Sequence, residues 1–161
     1  MTRVLIAGMG NALRSDDGFG VAVASTLLER PPSPGVKVVE VGIGGIHLVH
    51  ELLDGYDALV IVDSVDRASP PGSVFILEPS VPRLECLSTD ERQGLLADTH
   101  YAVPSRVLVM ARALGILPPV VRIVGCQPAD PDALGTEMSE AVRGAVPRAV
   151  EEITRLVSEL M

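Results

Sequence analysis

The segment Ala58-Leu59-Val60-Ile61-Val62-Asp63 decides the fold, because it is an unbroken aliphatic run that ends in a carboxylate. A short run of this kind predicts a strand buried on both faces, as in a parallel sheet that helices cover. A carboxylate at that depth needs a partner or a chemical role, since burying an unpaired charge is costly. The run therefore predicts an α/β fold and a first candidate functional residue, Asp63.

Strands and helices alternate on both sides of this segment. Prolines and glycines mark the ends of most of the elements. The stretch 79–91 has no clear period and is predicted to be mostly loop, and the last helix is predicted to be interrupted near Pro147. We predict one domain over residues 1–161, with a mostly parallel sheet and helices on both faces. Its strands are predicted at Val4–Ala7, Val36–Val41, Ala58–Val62, Val74–Leu77 (an edge strand or hairpin partner) and Val120–Val124, and its helices at Gly20–Glu29, Ile46–Leu53, Pro104–Leu114 and Glu137–Leu160.

The composition excludes several classes of protein. A chain of 161 residues is long enough for one such domain, and 47% hydrophobic residues with no Trp suit an aliphatic core. The formal charge of −8, without a cluster of Lys or Arg, argues against nucleic acid as a partner. No apolar run approaches the ~20 residues that span a bilayer. Cys86 and Cys126 form no CxxC pair, so we expect both to stay reduced in a cytoplasmic protein. From the lack of a long apolar run we expect no membrane partner.

The candidate functional residues follow strands or precede helices. In an open parallel sheet, ligands bind beyond the carboxyl ends of the strands. Asp16 and Asp17 follow the first strand, Asp63 follows the third, and His100 precedes a helix. Two carboxylates and an imidazole suit a divalent metal ion. Spacing alone does not separate Asp16 from Asp17, and capping of the following helix explains an aspartate at this place equally well.

Two further segments are predicted to contact a substrate at the same rim. The glycine loop after the second strand would let an extended peptide approach the backbone closely, because its glycines carry no side chain. The last strand delivers Gln127 to the same edge. The predicted substrate-binding residues are therefore Gly42, Gly44, Gly45 and Gln127.

The motifs together resemble one family, the nickel–iron hydrogenase maturation endopeptidases. The segment from Gly8 to Gly20, GMGNALRSDDGFG, is similar to that family's opening signature of G-x-G-N, a short apolar stretch and D-[DE]-G-x-G. The resemblance continues through the strand ending in Asp63 and through Asp98-Thr99-His100. It closes with the turn from Val124 to Pro128, VGCQP, which is similar to G-x-[EQ]-P. It covers nearly the whole chain.

The resemblance implies a fold, a reaction and a role for the metal. The fold is a three-layer α/β/α sandwich around a five-stranded sheet. The reaction is removal of the C-terminal extension of a hydrogenase large-subunit precursor after nickel insertion. The metal-contacting positions fall on Asp17, Asp63 and His100, which also form the implied catalytic site. The nickel is supplied chiefly by the precursor, and Cd²⁺ or Zn²⁺ would substitute in vitro.

Two segments depart from the family pattern. VGIGGI, from Val41 to Ile46, stands where the family often has D-G-G-T-x-G. Val103-Pro104 replaces the Gly-Leu often found shortly after the histidine. Both border the predicted cleft, so they bear on which hydrogenase is processed.

Three alternatives remain open. Cys126 would be a thiol nucleophile if His100 served as its base and Asp63 oriented that base. Gly8-Met9-Gly10 would open a nucleotide- or phosphate-binding module, but the third glycine of G-x-G-x-x-G falls on Leu13, and the two acidic residues oppose pyrophosphate. A protein that checks the metal without cleaving is the third.

Overall fold

The computed structural model describes residues 1–97 and 104–161, and of residues 95–97 it describes the backbone alone. The described elements alternate in type along most of the chain, as the sequence predicts. Two short 3₁₀ turns lie at Ser15–Gly18 and Leu84–Cys86. The elements are β1 (Val4–Met9), α1 (Phe19–Leu28), β2 (Val36–Gly42), α2 (Gly45–Leu52), β3 (Ala58–Ser64), β4 (Val74–Leu77), α3 (Thr89–Ala97), α4 (Pro104–Ala113), β5 (Val120–Cys126) and α5 (Glu140–Leu160).

The five strands form one sheet in the order β2-β1-β3-β5-β4. The first three pairs in this order are parallel, and β4 runs antiparallel to β5 at the edge. Ile6 of β1 lies beside Val60 of β3, which in turn lies beside Arg122 of β5. The mostly parallel sheet with one antiparallel edge strand is therefore confirmed. That residues 1–161 form a single domain stays a prediction.

Two hydrophobic cores lie on opposite faces of the sheet. Val60 and its even-numbered neighbours in β3 pack with α1 and α5, whereas Leu59 and Ile61 pack with α2 and α4. The division follows from the alternation of side chains along a strand. Since β1 and β3 are buried on both faces, they read as continuous apolar runs. The predicted three-layer α/β/α sandwich is confirmed.

The segment 79–91 differs from its prediction as mostly loop. Leu84–Cys86 forms a 3₁₀ turn, and α3 begins at Thr89. Glu91 accepts a hydrogen bond from the Ser88 backbone N–H at 2.7 Å, and the Ser88 hydroxyl accepts one from the Glu91 N–H at 3.2 Å. This is a capping box, which satisfies two amide donors at a helix start. Its S-x-x-E spacing was the available sequence signal, since α3 has no clear apolar stripe.

The last helix is continuous through Pro147, contrary to the predicted interruption. It begins at Glu140, three residues later than predicted, where the Ser139 hydroxyl accepts from the Val142 N–H at 3.4 Å. Pro147 lies on the exposed face, so the carbonyl it leaves without a helical donor faces solvent. The opposite face, which includes Ile153, stays packed on the sheet. None of the helices in the described part of the chain has the length and apolar character needed to cross a membrane.

Candidate functional site

The candidate site lies between the carboxyl ends of β1 and β3. The chain leaves β1 towards β2 on one side, and it leaves β3 towards β5 and β4 on the other. Strands whose connections diverge in this way leave a crevice between them, which is where ligands bind in open α/β sheets. Gly10 follows β1 at this crevice, and Asp63 lies near the end of β3 with only 7% of its surface exposed.

A backbone contact between α1 and the sheet brings the 15–18 turn to this crevice. A Cβ on Gly8 would lie 2.3 Å from the Gly20 carbonyl oxygen, and a Cβ on Gly20 would lie 2.1 Å from that of Val62. Only glycine fits at either position, so α1 approaches β1 and β3 more closely than side chains would allow. Gly10 has a φ of +115°, and a Cβ there would lie 2.0 Å from the Asp17 carbonyl oxygen. The glycines of the first motif therefore place Asp17 beside Asp63.

Ser64 connects the two carboxylates. Its hydroxyl donates a hydrogen bond of 2.8 Å to Asp17 Oδ1, and its backbone N–H donates one of 2.8 Å to Asp63 Oδ1. The backbone N–H of Asn11 donates to Asp17 Oδ2, also at 2.8 Å. Both Asp17 oxygens are thus held in place, yet each keeps a lone pair for a further ligand. Sequence reasoning missed Ser64, because nothing in its residue type indicates this role.

Burial and, second to it, the charge of Asp17 raise the pKa of Asp63 to about 7, against the opposing effect of the Ser64 N–H. Two carboxylates at close range in a poorly solvated crevice cannot both ionise without cost. A divalent cation would remove this repulsion, and carboxylate oxygen is a ligand that such ions accept. The donor set that the structure describes therefore fits a metal ion.

Asp16 has a different role from its neighbour. Its carboxylate accepts hydrogen bonds from the Ala129 N–H at 2.8 Å, the Ser139 N–H at 2.6 Å and the Ser139 hydroxyl at 2.9 Å. It is 2% exposed, and it ties the 15–18 turn to the segment before α5. These bonds stabilise the fold around the site, and the nearly complete burial of Asp16 leaves its carboxylate little access to a ligand. The surroundings of Asp16 and Asp17 therefore favour Asp17 as the metal-contacting residue.

The third predicted ligand, His100, lies outside the described residues, as do Asp98, Thr99 and Val103. Within the described ranges, no group of three His, Cys, Asp or Glu side chains is arranged to hold a metal ion. The ligand set of Asp17, Asp63 and His100 stays a prediction.

The predicted substrate loop lies next to the carboxylates. The Gly42 carbonyl accepts a hydrogen bond of 3.0 Å from the Gly10 N–H, which joins this loop to the one after β1. Gly44 is the N-cap residue of α2, and Gly45 is its first residue. Gly42, Glu40 and Asn11 are among the residues that line a pocket of about 280 Å³ between the loops after β1 and β2. Substrate contact by Gly42, Gly44 and Gly45 stays a prediction.

Gln127 is 5% exposed, and its side-chain amide forms hydrogen bonds with other residues of the chain. Its Oε1 accepts from the backbone N–H groups of Arg67 at 2.7 Å and Ser69 at 3.3 Å. Its Nε2 donates to Asp66 Oδ1 at 3.0 Å and to the Pro128 carbonyl at 3.3 Å. Gln127 therefore fixes the loop after β3, which begins two residues beyond Asp63. Its predicted contact with substrate stays a prediction.

The surroundings of Cys126 disfavour a thiol nucleophile. Burial and, second to it, the negative charge of Asp16 raise the pKa of its thiol to about 11, against the opposing charge of Arg148. A thiol with such a pKa is almost entirely protonated at neutral pH, whereas the thiolate is the nucleophile. The side chain is fully buried on the α1/α5 side of the sheet.

Ser64→Ala is expected to weaken binding of a divalent ion about fivefold, the effect of losing a hydrogen bond of ~1 kcal/mol. Without the hydroxyl, Asp17 keeps only the bond from the Asn11 N–H and is held less firmly beside Asp63. Titration of the protein with Cd²⁺ by calorimetry measures the change. Ser64→Thr keeps the hydroxyl and should bind nearly as wild type. Ser73→Ala, which removes a hydroxyl that donates to the Pro70 carbonyl, is the control. Equal Cd²⁺ affinities for Ser64→Ala and wild type would contradict this role.

Several known proteins with a similar sequence or fold are named for hydrogenase maturation or formation. The sequence pattern described as hydrogenase maturation protease matches residues 21–156. The hydrogenase expression/formation protein HupD of Rhizobium leguminosarum bv. viciae is 31% identical over 157 residues, which cover 96% of this chain and 74% of HupD. The crystal structure of the hydrogenase 2 maturation peptidase from Thaumarchaeota archaeon SCGC_AB-539-E09 is 30% identical, with a TM-score of 0.68 and coverage of 97% of this chain and 98% of that one. The [NiFe] hydrogenase maturation protease HycI from Thermococcus kodakarensis KOD1 has a TM-score of 0.73 at 28% identity and covers 98% and 93%.

Proposed function

Because the chain belongs to the hydrogenase maturation protease family and is thus an endopeptidase, we propose that it removes the C-terminal extension of a nickel-loaded NiFe hydrogenase large-subunit precursor. The observation that carries the proposal is the pair of carboxylates, Asp17 and Asp63, held together by Ser64 at the carboxyl ends of β1 and β3. We also propose that it acts in the cytoplasm, where its free cysteines, Cys86 and Cys126, would stay reduced.

Nickel in this proposal is part of the substrate. The precursor carries the ion, and Asp17, Asp63 and His100 complete its coordination when the two proteins meet. Cd²⁺ or Zn²⁺ would occupy the same ligands in vitro. An ion shared between protease and precursor fixes the scissile peptide against the protease, which lowers the entropic cost of reaching the reactive geometry.

Recognition through the ion makes cleavage conditional on nickel insertion. A precursor without nickel would meet two carboxylates whose mutual repulsion nothing relieves. With nickel in place, the positive charge favours the ionised form of Asp63 and therefore the bound state. Close to the scissile carbonyl, the ion would also polarise that bond or acidify an attacking water.

Incubation of the purified protease with nickel-loaded and nickel-free precursor tests the proposal. We expect only the loaded precursor to lose its C-terminal peptide, as followed by mass spectrometry. Cys126→Ser should cleave as wild type, whereas loss of cleavage with Cd²⁺ binding intact would favour the thiol mechanism. Equal cleavage of both precursors would overturn the nickel requirement, and cleavage of neither would overturn the proposed reaction.

A further inference from the structure

Two loops beside the carboxylates are joined into one rigid edge, which we call the lip (residues 11–15 and 133–137). The Leu13 carbonyl accepts from the Gly135 N–H at 2.9 Å, and the Gly135 carbonyl accepts from the Ser15 N–H at 2.8 Å. The Ser15 hydroxyl adds a bond of 2.6 Å to the Glu137 carbonyl. These bonds bring together residues more than 100 positions apart in the sequence, and they fix both backbones.

The lip presents two large apolar side chains to solvent. Leu13 is 67% exposed and Leu134 is 82% exposed. A single exposed leucine needs no explanation, but a rigid edge that carries two is the kind of apolar surface that partners cover. Since the backbone beneath them is already ordered, burying these side chains costs little conformational entropy.

The lip is continuous with the carboxylate site. The Leu13 N–H donates to the Asn11 side-chain oxygen at 2.9 Å, and the Asn11 N–H holds the Asp17 carboxylate. Ala12, also in the lip, lines the pocket between the loops after β1 and β2. Ile43, an exposed residue of the loop after β2, lines the same pocket. A protein that brings a peptide bond to Asp17 and Asp63 therefore passes close to Leu13.

We propose that the lip is a docking surface for the precursor, and that Leu13 and Leu134 bury against an apolar patch of its folded part next to the cleavage site. This inference rests on the proposed function. The occupant is the precursor because a second copy of the chain bound here would cover the carboxylates that the precursor must reach. The formal charge of −8 disfavours a membrane surface, whose cytoplasmic face is itself negative.

The test compares the double variant Leu13→Ser/Leu134→Ser with the matched control Leu53→Ser/Leu114→Ser. Leu53 and Leu114 are 63% and 55% exposed, and they follow the C-terminal ends of α2 and α4, at the opposite end of the sheet. Loss of the two lip leucines should raise the KM for nickel-loaded precursor about tenfold with kcat within twofold. Cd²⁺ affinity and the unfolding midpoint should stay unchanged, because both lip leucines are largely exposed and neither belongs to the two hydrophobic cores.

Binding of the nickel-free precursor, measured by biolayer interferometry, separates the two proposals. The lip variant should bind this precursor more weakly than wild type, since the lip contact does not involve the ion. Cleavage with the same KM in the lip variant, the control and wild type would overturn the docking role and leave the proposed reaction standing. If wild type binds the precursor but does not cleave it, the proposed reaction is overturned. The docking role then stands only if the lip variant binds the precursor more weakly than wild type. If wild type neither binds nor cleaves the precursor, both proposals are overturned. If the control variant loses as much affinity or activity as the lip variant, the docking role of the lip is overturned.

Discussion

Asp63→Asn is expected to abolish cleavage of the nickel-loaded precursor, with a fall in kcat/KM of about a thousandfold or more. The substitution keeps the size of the side chain and an oxygen that accepts from the Ser64 N–H, but it removes the charge that would bind nickel. A metal ligand that loses its charge on an otherwise intact scaffold costs both affinity and positioning. The cleavage assay on loaded precursor and Cd²⁺ calorimetry together measure the effect.

The same substitution should stabilise the free protein at neutral and higher pH. The pKa of Asp63 is about 7 in the folded chain against an ordinary value of 3.8, so folding favours the protonated form. The cost of ionising Asp63 is absent below about pH 4, grows between pH 4 and 7, and is complete above pH 7. Asp63→Asn removes this cost. We therefore expect equal unfolding free energies near pH 4 and a gain of roughly 2–4 kcal/mol at pH 8, measured by urea unfolding across this range.

Asp57→Asn is the matched control for both effects. Asp57 accepts from the Arg3 backbone N–H at the opposite end of the sheet, far from the carboxylate pair. It should cleave normally and show no gain in stability at pH 8. If Asp63→Asn cleaves loaded precursor within tenfold of wild type, Asp63 does not belong to the metal-contacting set. If its stability does not rise with pH relative to wild type, the buried carboxylate is not the source of the cost.

Gly20→Ala is expected to destabilise the fold by on the order of 3 kcal/mol or more. A Cβ there would lie 2.1 Å from the Val62 carbonyl oxygen and 2.2 Å from that of Met9. Both atoms belong to backbone in the middle of the sheet, so neither moves aside as a side chain would. The helix α1 must shift outwards, and the 15–18 turn that carries Asp17 shifts with it. Urea unfolding should show a lower midpoint with an unchanged slope, and Cd²⁺ affinity should fall in the protein that remains folded.

Gly144→Ala separates this clash from the general effect of replacing a helical glycine. Gly144 lies within α5, and among the described residues no heavy atom outside its chain neighbours and its own helix backbone would come within 4 Å of a Cβ at this position. Alanine there should stabilise the helix by roughly 0.5–1 kcal/mol. A small effect of Gly20→Ala, comparable to that of Gly144→Ala, would contradict the close approach of α1 to the sheet.

The fold was predictable because its strands are buried on both faces. The apolar runs within Val4–Met9 and Ala58–Ser64 mark where these strands begin and place them in the middle of the sheet, although each strand continues two residues beyond its predicted end. The family resemblance drawn from the glycine-aspartate motif is likewise confirmed. The start of α3 was missed, because its signal is a cap at Ser88 and Glu91 and not an apolar stripe. The predicted interruption of α5 near Pro147 is wrong, because one exposed carbonyl without a donor costs less free energy than the packing of α5 provides.

Much less of the site was predictable. Strand ends and spacing identify Asp63 and the Asp16-Asp17 pair, and the family resemblance selects Asp17, but the physical difference between the two neighbours lies in their partners. Asp16 bonds to Ala129 and Ser139, over 100 residues away, and no local pattern encodes such contacts. The internal bonds of Gln127 and the bridging position of Ser64 depend in the same way on which loops the sheet brings together.

The anchoring of Asp16 by Ala129 and Ser139 has a consequence for the order in which a ribosome delivers the chain. The strand β5, which enters the sheet between β3 and β4, and the partners of Asp16 are all made after residue 119. A nascent chain that ends before Val120 has Asp17 and Asp63 but lacks the segment that holds the 15–18 turn in place. We therefore expect the carboxylate pair to assemble only after residues 120–139 have been synthesised, so that shorter nascent chains would not compete for loaded precursor.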